Sequence, residues 1–410
     1  MSYYLLVPFW NLYVLACKNA ICHGFRLICR TYSLEITVTF PELMSFERET
    51  VEVFGEFTKT MAKIKGIFIR PIRFLGIDWA PLIVPLKRRL ETLAVVHFVF
   101  IWMILPIIST WLPFYILFYT PFWWTMVLYV LWTLYDFDRP RRGSRGWSWY
   151  KNHPIWTHFA DYFPLRVVKT ADLPPDRNYI IGSHPHGVLS IGAFTAMLTS
   201  GSRFPDMFPG LKSTILTLNG QFWFPFRRDI GLALGGVESS RKSLQYLLEN
   251  PGKGRAIAIV LGGASEALEA HPGRHDLTLL SRRGFCRHAL QYGADLVPMY
   301  NFGENDVYET FPNPRGTRMR EIQEWIKNKW GICPPLMIGR GIFNYSYGIL
   351  PHRRPITSVV GAPIRVNRVE NPTEEEIDKL HSEYCKALID LFETHKSLHD
   401  IPKDVHLNIQ

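Results

Sequence analysis

One uninterrupted apolar stretch limits what this chain can fold into. Residues 92–135 contain no Asp, Glu, Lys or Arg, and the stretch has about 44 residues where one crossing of a bilayer needs ~20. Pro106, Pro113 and Pro121 lie within it. Because proline interrupts helical hydrogen bonding, we expect a turn between Ser109 and Pro121. The stretch predicts a hairpin in the membrane, and the alternative is a buried hairpin of a soluble protein.

Basic residues border the apolar stretch on both sides, at Lys87–Arg89 and within Arg139–Arg145. Since positive residues favour the cytosolic side of a membrane, both ends of the hairpin are predicted to be cytosolic. The chain carries a formal net charge of +10, but it has no zinc-finger spacing, basic heptad region or RNP-like strand. An anionic membrane surface or a phosphate-bearing ligand explains this charge, and we expect no nucleic-acid partner.

Composition and hydropathy divide the chain into five segments. Within the last one, short apolar runs such as Tyr179–Gly182 and Ala256–Leu261 alternate with helical patterns. This alternation predicts an α/β domain with a mostly parallel sheet. The stretch Thr373–Lys396 predicts a long helix, because acidic residues occupy its first turn. The segments are an atypical N-terminal segment that is a candidate membrane anchor (1–60), a basic juxtamembrane segment (61–91), the transmembrane hairpin (92–135), a basic and aromatic interfacial hinge (136–164) and a large C-terminal domain (165–410).

Two histidines separated by one proline follow the first of these apolar runs. His184 and His186 lie after Tyr179–Gly182, at the carboxyl end of a predicted strand, where open α/β sheets bind ligands. Since imidazole titrates near neutral pH and accepts a proton from a hydroxyl, one of them is predicted to be a general base. The alternatives are a metal site, which needs a third ligand, and a pair bonded only to the backbone. The six cysteines include no Cys-x-x-Cys pair, and we infer no zinc site.

A second loop repeats this design. Glu266 lies just after the predicted strand Ala256–Leu261, and Gly262 and Gly263 between them allow the backbone to approach a ligand closely. Because both loops are predicted at the same edge of the sheet, we expect a contact between Glu266 and His186. The carboxylate would orient the imidazole or handle a proton itself. The alternative is an acid that stabilises the first turn of a helix.

A third group of candidate residues is basic. Arg282, Arg283 and Arg287 cluster near the start of a predicted helix. Such a cluster is typical of a phosphate-binding site. The alternative is a set of solvated surface charges.

Four motifs occur in order along the chain: YFP at 162–164, HPHG at 184–187, GGASE at 262–266 and RRGFCRHALQYGADLVPMYNFGE at 282–304. Together they resemble the acyl-CoA:diacylglycerol acyltransferase type 2 family, which also contains monoacylglycerol acyltransferases and wax synthases. The resemblance extends from about Val84 to near the carboxyl end.

The resemblance implies an integral enzyme of the endoplasmic reticulum membrane, with lipid droplets as a second location. Its cytosolic catalytic domain would be similar to that of glycerolipid acyltransferases. It would transfer a fatty acyl group from acyl-CoA, the co-substrate, to a neutral lipid acceptor, converting diacylglycerol to triacylglycerol without a cofactor or a metal.

The resemblance also implies roles for individual residues. His186 and Glu266 match the family's presumed catalytic histidine and its glutamate, and His184 matches the other histidine of HPHG. We expect direct transfer without an acyl-enzyme. The arginine cluster would then meet the coenzyme A phosphates, and backbone N–H groups at Gly187, Gly262 and Gly263 would stabilise the oxyanion.

The chain also departs from related patterns. Related glycerol-phosphate acyltransferases carry an acid five residues after the histidine, where this chain has Leu189 after His184 and Ile191 after His186. The sequence therefore predicts no immediate His/Asp dyad.

Alternative functions and the oligomeric state stay open at this point. Monoacylglycerol and fatty alcohols are alternative acceptors. A membrane-bound metal-dependent hydrolase using the two histidines, and a membrane-shaping protein without catalysis, are alternatives of other classes. The oligomeric state is open, a homo-oligomer included.

Overall fold

The computed structural model describes residues 71–410, apart from residue 251 and residues 332–335, together with the backbone of two short paired strands, Leu27–Cys29 and Leu34–Ile36. The predicted anchor in 1–60, apart from these strands, and residues 61–70 of the predicted juxtamembrane segment lie outside the described residues. Internal packing separates residues 1–71 and 81–83 from a second unit, residues 72–80 and 84–410. All elements below belong to the second unit.

The apolar stretch forms a long helix followed by a shorter one. Helices α1 (Leu86–Val99) and α2 (Leu105–Tyr119) are joined by one π-helical turn, Phe100–Ile104, and α3 spans Trp123–Tyr135. Pro106 follows this π turn, which relieves the clash between a proline ring and the carbonyl four residues before it. The break between the helices lies at residues 120–122, at the carboxyl end of the interval predicted for a turn.

Within the described residues, one helix is long and apolar enough to cross a membrane. It is the continuous helix Leu86–Tyr119, in which an 18-residue window has a mean hydropathy of 2.2. Trp111 and Phe118 in its second half are each 70% exposed, which suits lipid better than water. In its first half, by contrast, Ala94, Val95 and Phe98 are buried in the protein core. Whether α3 makes a second crossing stays a prediction.

The core of the C-terminal domain is a seven-stranded sheet. Its strands are β1 (Arg166–Lys169), β2 (Tyr179–His184), β3 (Lys212–Thr217), β4 (Gly236–Glu238), β5 (Arg255–Val260), β6 (Asp295–Phe302) and β7 (Thr357–Val360). Their order in the sheet is β1-β7-β6-β2-β5-β3-β4. Strands β2 to β6 are parallel to one another, while β7 is antiparallel to β6 and parallel to β1. The prediction of an α/β domain with a mostly parallel sheet is confirmed.

Helices cover both faces of this sheet. The long C-terminal helix was predicted to within one residue at each end, and Thr373 begins it with a capping box that includes Glu376. The helices are α4 (Ser148–Lys151), α5 (Ile155–Tyr162), α6 (Ile191–Leu198), α7 (Phe204–Met207), α8 (Arg227–Ala233), α9 (Arg241–Glu249), α10 (Gly263–Ala267), α11 (Gly284–Tyr292), α12 (Arg318–Trp330) and α13 (Glu374–His395).

Within the described residues of the second unit, three pairs of short strands lie outside the main sheet. Ile72–Phe74 pairs with Ile77–Trp79 in an antiparallel hairpin. The other two pairs are Asp276–Leu277 with Asn408–Ile409, which is parallel, and Glu309–Thr310 with Met337–Ile338, which is antiparallel.

Two hydrophobic clusters lie on opposite faces of the sheet. Because successive side chains of a strand point to opposite faces, Ile181 of β2 belongs to the cluster shared with α1, α5 and α6, while Ile180 belongs to the cluster shared with α11 and α13. The carboxyl end of β2, and the loop that follows it, therefore lie between two packed layers.

Candidate active site

The histidine loop begins where β2 ends. His184 is the last residue of β2 and pairs with Tyr300 of β6. The His184–Pro185 peptide bond is cis, and α6 begins at Ile191. Both histidines therefore lie at the carboxyl edge of the parallel strands, where ligands bind in this class of fold.

The His186 ring has one nitrogen engaged, while the other has no hydrogen-bond partner among the described residues. Its Nδ1 lies 2.9 Å from the carbonyl oxygen of Gly187. A carbonyl only accepts hydrogen bonds, so Nδ1 carries the hydrogen, and the Nε2 of the neutral ring keeps its lone pair. Burial lowers the pKa of His186 below its usual value, so the ring is neutral at pH 7. This is the arrangement that a general base requires.

His184 is enclosed by protein. Its Nε2 lies 3.1 Å from the hydroxyl of Tyr384, which donates to the carbonyl of Gly182 at 3.1 Å. Because the hydroxyl hydrogen of Tyr384 is used in that bond, the hydroxyl oxygen accepts the Nε2–H of His184. Burial lowers the pKa of His184 to about 3, so it stays neutral. The Nδ1 of His184 also has no partner among the described residues, but His184 is fully buried, whereas His186 is partly exposed. The free nitrogen that a ligand can reach is therefore that of His186.

Glu266 contacts His186 through the backbone. One oxygen, Oε2, accepts the N–H of His186 at 2.7 Å, and Oε1 accepts the N–H of Thr278 at 3.1 Å. We expected the carboxylate to meet the imidazole, whereas it fixes the main chain of the histidine loop. Burial raises the pKa of Glu266 to about 7. A side chain on Gly262 would overlap the Glu266 carboxylate, so this approach requires glycine.

Glu304, which the sequence did not single out as a site residue, also holds the histidine loop, at the point where the loop enters α6. Its two carboxylate oxygens accept the N–H groups of Ile191 and Gly192, each at 2.7 Å. Burial raises the pKa of Glu304 to about 7. At Gly187, which has φ of +59°, an added Cβ would lie 2.6 Å from Cγ of Glu304.

Asn301 ties β6 to the start of the loop. Its Nδ2 donates to the hydroxyl of Ser183 at 2.9 Å and to the carbonyl of His184 at 3.1 Å, and its Oδ1 accepts the hydroxyl of Ser358 at 2.7 Å. Asn301 was also missed from the sequence, where an asparagine inside an apolar run gives no signal of its partners. It fixes the direction in which the chain leaves β2.

The backbone N–H groups of the two loops differ in their availability to an oxyanion. The N–H of His186 is taken by Glu266. Within the part of the chain that the structure describes, the N–H of Gly187 has no acceptor. Gly262 and Gly263 lie at the first turn of α10, where helical N–H groups are free of intrahelical partners.

The metal alternative was tested against the residues present. His184 and His186 would need at least one further ligand. Among the described residues, no group of three or more His, Cys, Asp or Glu side chains is placed to hold a metal ion.

Comparison with known proteins decides the family. A model of the family described as diacylglycerol acyltransferase matches residues 115–410. The chain belongs to the diacylglycerol acyltransferase family. The resemblance to its type 2 group, predicted from the four motifs, is confirmed, and all the site residues above lie inside the matched range.

Individual members of the family are similar along most of their length. The chain is 41% identical over 330 residues to 2-acylglycerol O-acyltransferase 1 of Bos taurus, covering 80% of this chain and 98% of that protein. It is 42% identical over 321 residues to diacylglycerol O-acyltransferase 2 of Dictyostelium discoideum, covering 78% of this chain and 96% of that protein. It is 38% identical over 324 residues to diacylglycerol O-acyltransferase 2 of Homo sapiens, covering 79% of this chain and 83% of that protein.

A solved structure shows a remote likeness. The crystal structure of the 1-acyl-sn-glycerophosphate acyltransferase from Thermotoga maritima aligns with a TM-score of 0.34 and 14% identity, covering 75% of this chain and 98% of that one. At this score the alignment carries no argument about the site.

The three arginines that match the family's last motif differ in their carboxylate partners. Arg283 pairs with Asp378 at 2.7 Å and Arg287 with Glu374 at 2.5 Å, both on α13. Arg282 has no carboxylate within ion-pair distance among the described residues, and its charge lowers the pKa of Glu266 against the effect of burial. Of the three, Arg282 is the one available to a phosphate near the loop.

Proposed function

We propose that the protein transfers a fatty acyl group from acyl-CoA to the hydroxyl of diacylglycerol and so forms triacylglycerol. One observation carries the proposal: His186 has its Nδ1 engaged by Gly187, which leaves Nε2 as a proton acceptor at the carboxyl edge of the sheet. Membership in the family, with relatives named diacylglycerol O-acyltransferase, supports the substrate pair. Monoacylglycerol is the second candidate acceptor, because another relative is named 2-acylglycerol O-acyltransferase 1.

The chemistry follows from these groups. Nε2 of His186 takes the proton of the acceptor hydroxyl as its oxygen attacks the thioester carbonyl. The N–H of Gly187 is proposed to stabilise the oxyanion of the tetrahedral intermediate. When this intermediate collapses, the C–S bond breaks, and the imidazolium returns its proton to the leaving thiolate of coenzyme A. The products are the new ester, free coenzyme A and neutral His186.

Glu266 and Glu304 act in this proposal as positioning residues. Glu266 accepts the N–H of His186 in the histidine loop and that of Thr278 in another segment, whereas Glu304 accepts the N–H groups of Ile191 and Gly192 where the loop ends. Neither accepts a hydrogen bond from the His186 ring. They fix the position of the base without sharing its proton.

An acceptor panel tests the proposed reaction. Microsomes containing the protein receive labelled oleoyl-CoA and, in parallel, diacylglycerol, monoacylglycerol or hexadecanol, and the lipid products are separated. The proposal expects triacylglycerol with the first acceptor. Diacylglycerol as the main product would identify monoacylglycerol as the acceptor, and wax ester would identify a fatty alcohol. Absence of any ester above control microsomes would reject acyl transfer.

Arg282 is proposed to meet a coenzyme A phosphate. An exposed charge contact contributes about 1 kcal/mol, so Arg282→Gln should raise the KM for acyl-CoA on the order of fivefold with little change in kcat. Arg283→Gln is the matched control, because Arg283 is already paired with Asp378. An equal rise in KM for both variants, or none for Arg282→Gln, would contradict this role.

The pH profile should reflect the lowered pKa of His186. A lower pKa keeps the neutral base present at lower pH, so we expect the acid limb of kcat/KM to have its midpoint below pH 6.5. Glu266, with a pKa raised to about 7, is the competing group. Rates of wild type and Glu266→Gln between pH 5 and 9 separate the two. A limb near pH 7 that disappears in Glu266→Gln would assign the proton transfer to Glu266 instead.

We also propose an endoplasmic reticulum location with the catalytic domain in the cytosol, and a catalytic domain of the glycerolipid acyltransferase type. The apolar helix Leu86–Tyr119 and the basic residues beside it support membrane insertion. Protease protection in sealed microsomes tests the orientation: the C-terminal domain should be digested without detergent. Its protection would reverse the assignment.

A further inference from the structure

Arg227 is a buried cation whose hydrogen-bonding groups are mostly unused. It is 1% exposed at the start of α8, and its Nη1 donates to the carbonyl of Gln221 at 2.8 Å. Within the described residues, its Nε and Nη2 have no hydrogen-bond partner and no carboxylate lies within ion-pair distance. Because a buried charge without compensation is expensive, such a group indicates a partner that the polypeptide does not provide.

A second unpartnered donor lies beside it. The guanidinium carbon of Arg227 is 4.0 Å from the centre of the Trp102 ring. The Nε1 of Trp102 is itself buried without an acceptor in the described part of the chain. Three unused N–H donor atoms therefore lie together. Trp102 belongs to the π-helical turn Phe100–Ile104, and such turns are frequent at functional sites.

Arg228, the next residue, differs from Arg227 because it has a carboxylate partner as well as a carbonyl partner. Arg228, also buried, donates from Nη1 to Asp136 at 3.0 Å and from Nη2 to the Asp136 carbonyl. Asp136 and Asp229 both pair with Arg145 as well, at 2.6 Å. The acids of this region are thus used by Arg145 and Arg228, and none reaches Arg227.

We propose that Arg227 and Trp102 form a binding subsite for the anionic head group, carboxylate or phosphate, of a membrane amphiphile. A guanidinium fork matches the oxygens of either anion. The site borders the long apolar helix, so an acyl chain attached to that anion has an apolar surface beside it. The subsite does not depend on the proposed acyl transfer.

The subsite is also packed against the catalytic domain. The rings of Trp102 and Phe194 are 5.7 Å apart and perpendicular, and Phe194 lies on α6, whose first N–H groups are held by Glu304. An anion at Arg227 would therefore contact a residue that packs on the helix following the histidine loop.

Thermal unfolding of the full-length protein in a neutral detergent tests the proposal. The probes are oleate and 1-oleoyl lysophosphatidate below their critical micelle concentrations, and 1-oleoylglycerol is the neutral control with the same chain. An anion that binds should raise the midpoint by roughly 3 °C at 100 times its dissociation constant. Whichever anion gives the larger shift identifies the carboxylate or the phosphate as the preferred head group.

Two variants make the test specific. Arg227→Met should abolish the shift while unfolding, without ligand, at the wild-type temperature or above, since it removes a buried charge that no carboxylate neutralises. Arg228→Met, the matched control, should unfold at a lower temperature because it leaves Asp136 without one of its partners. Trp102→Phe keeps the ring face but removes Nε1–H and should weaken anion binding about fivefold.

Three results would overturn the proposal. The first is a rise in unfolding temperature with an anion that persists in Arg227→Met. The second is an equal rise with 1-oleoylglycerol that Arg227→Met abolishes. The third is an Arg227→Met protein that, without ligand, unfolds far below the wild-type temperature or does not fold. The last result would mean that the guanidinium has a structural partner. Neither of the first two needs acyltransferase activity as a readout, so failure here is distinguishable from failure of the proposed reaction.

Discussion

Replacement of His186 by alanine should lower kcat by ~10²–10⁴ and leave the protein folded. The ring of His186 makes one hydrogen bond, from Nδ1 to the carbonyl of Gly187, while its main-chain N–H is held by Glu266. Alanine keeps that N–H, so the loop stays anchored and only the proton acceptor is lost. Activity with saturating oleoyl-CoA and diacylglycerol, together with the unfolding temperature, measures both effects.

His184→Ala is the matched control for this prediction. His184 is fully buried and bonded to Tyr384, so its removal opens a cavity and leaves the hydroxyl of Tyr384 without one partner. We expect a lower unfolding temperature. A well-folded His184→Ala protein without activity, beside a His186→Ala protein with near-normal activity, would exchange the roles of the two histidines.

Replacement of Glu304 by alanine should have the largest effect on stability. It leaves the N–H groups of Ile191 and Gly192 without acceptors. Each unsatisfied buried group costs about 1–3 kcal/mol, so the free energy of unfolding should fall by ~2–6 kcal/mol. Because the same side chain packs against Gly187, kcat should fall as well. Chemical denaturation in a neutral detergent and the acyltransferase assay measure the two quantities.

Two further variants define the role of Glu304. Glu304→Gln retains one carbonyl oxygen and should lie between wild type and Glu304→Ala in stability. Glu309→Ala is the control, since Glu309 is exposed a short distance along the chain, and it should be within about 0.5 kcal/mol of wild type. A Glu304→Ala protein as stable as Glu309→Ala would show that the carboxylate does not support the loop.

Local patterns predicted the sheet and the position of the histidine loop. The alternation of apolar runs with helical patterns was sufficient for the α/β architecture, and an apolar run ending at HPHG placed both histidines at a strand end. These inferences succeed because they depend on residues that are neighbours in sequence.

Contacts between distant elements were beyond the same reasoning. His184 lies against Tyr384, 200 residues away, and Glu304 meets the loop because β6 pairs with β2. A local sequence pattern predicts neither the order of the strands nor the face of the sheet on which α13 packs. For the same reason the sequence grouped Arg283 and Arg287 with Arg282, although acids of α13 hold the first two.

The long apolar stretch shows a different limit. Lipid and a protein core favour the same side chains, so composition does not separate them. In the structure the first half of the helix Leu86–Tyr119 packs into the core through residues such as Phe98, while the second half exposes Trp111 and Phe118.

The central claim is direct acyl transfer from acyl-CoA to diacylglycerol with His186 as the base. Its most direct test is to mix purified protein in neutral detergent with labelled oleoyl-CoA and diacylglycerol, and to measure free coenzyme A thiol and labelled triacylglycerol together. We predict one thiol for each triacylglycerol with wild type, no thiol release without acceptor, and neither product above background with His186→Ala. Triacylglycerol formed equally by His186→Ala, or release of coenzyme A with no ester formed in wild type, would contradict the account.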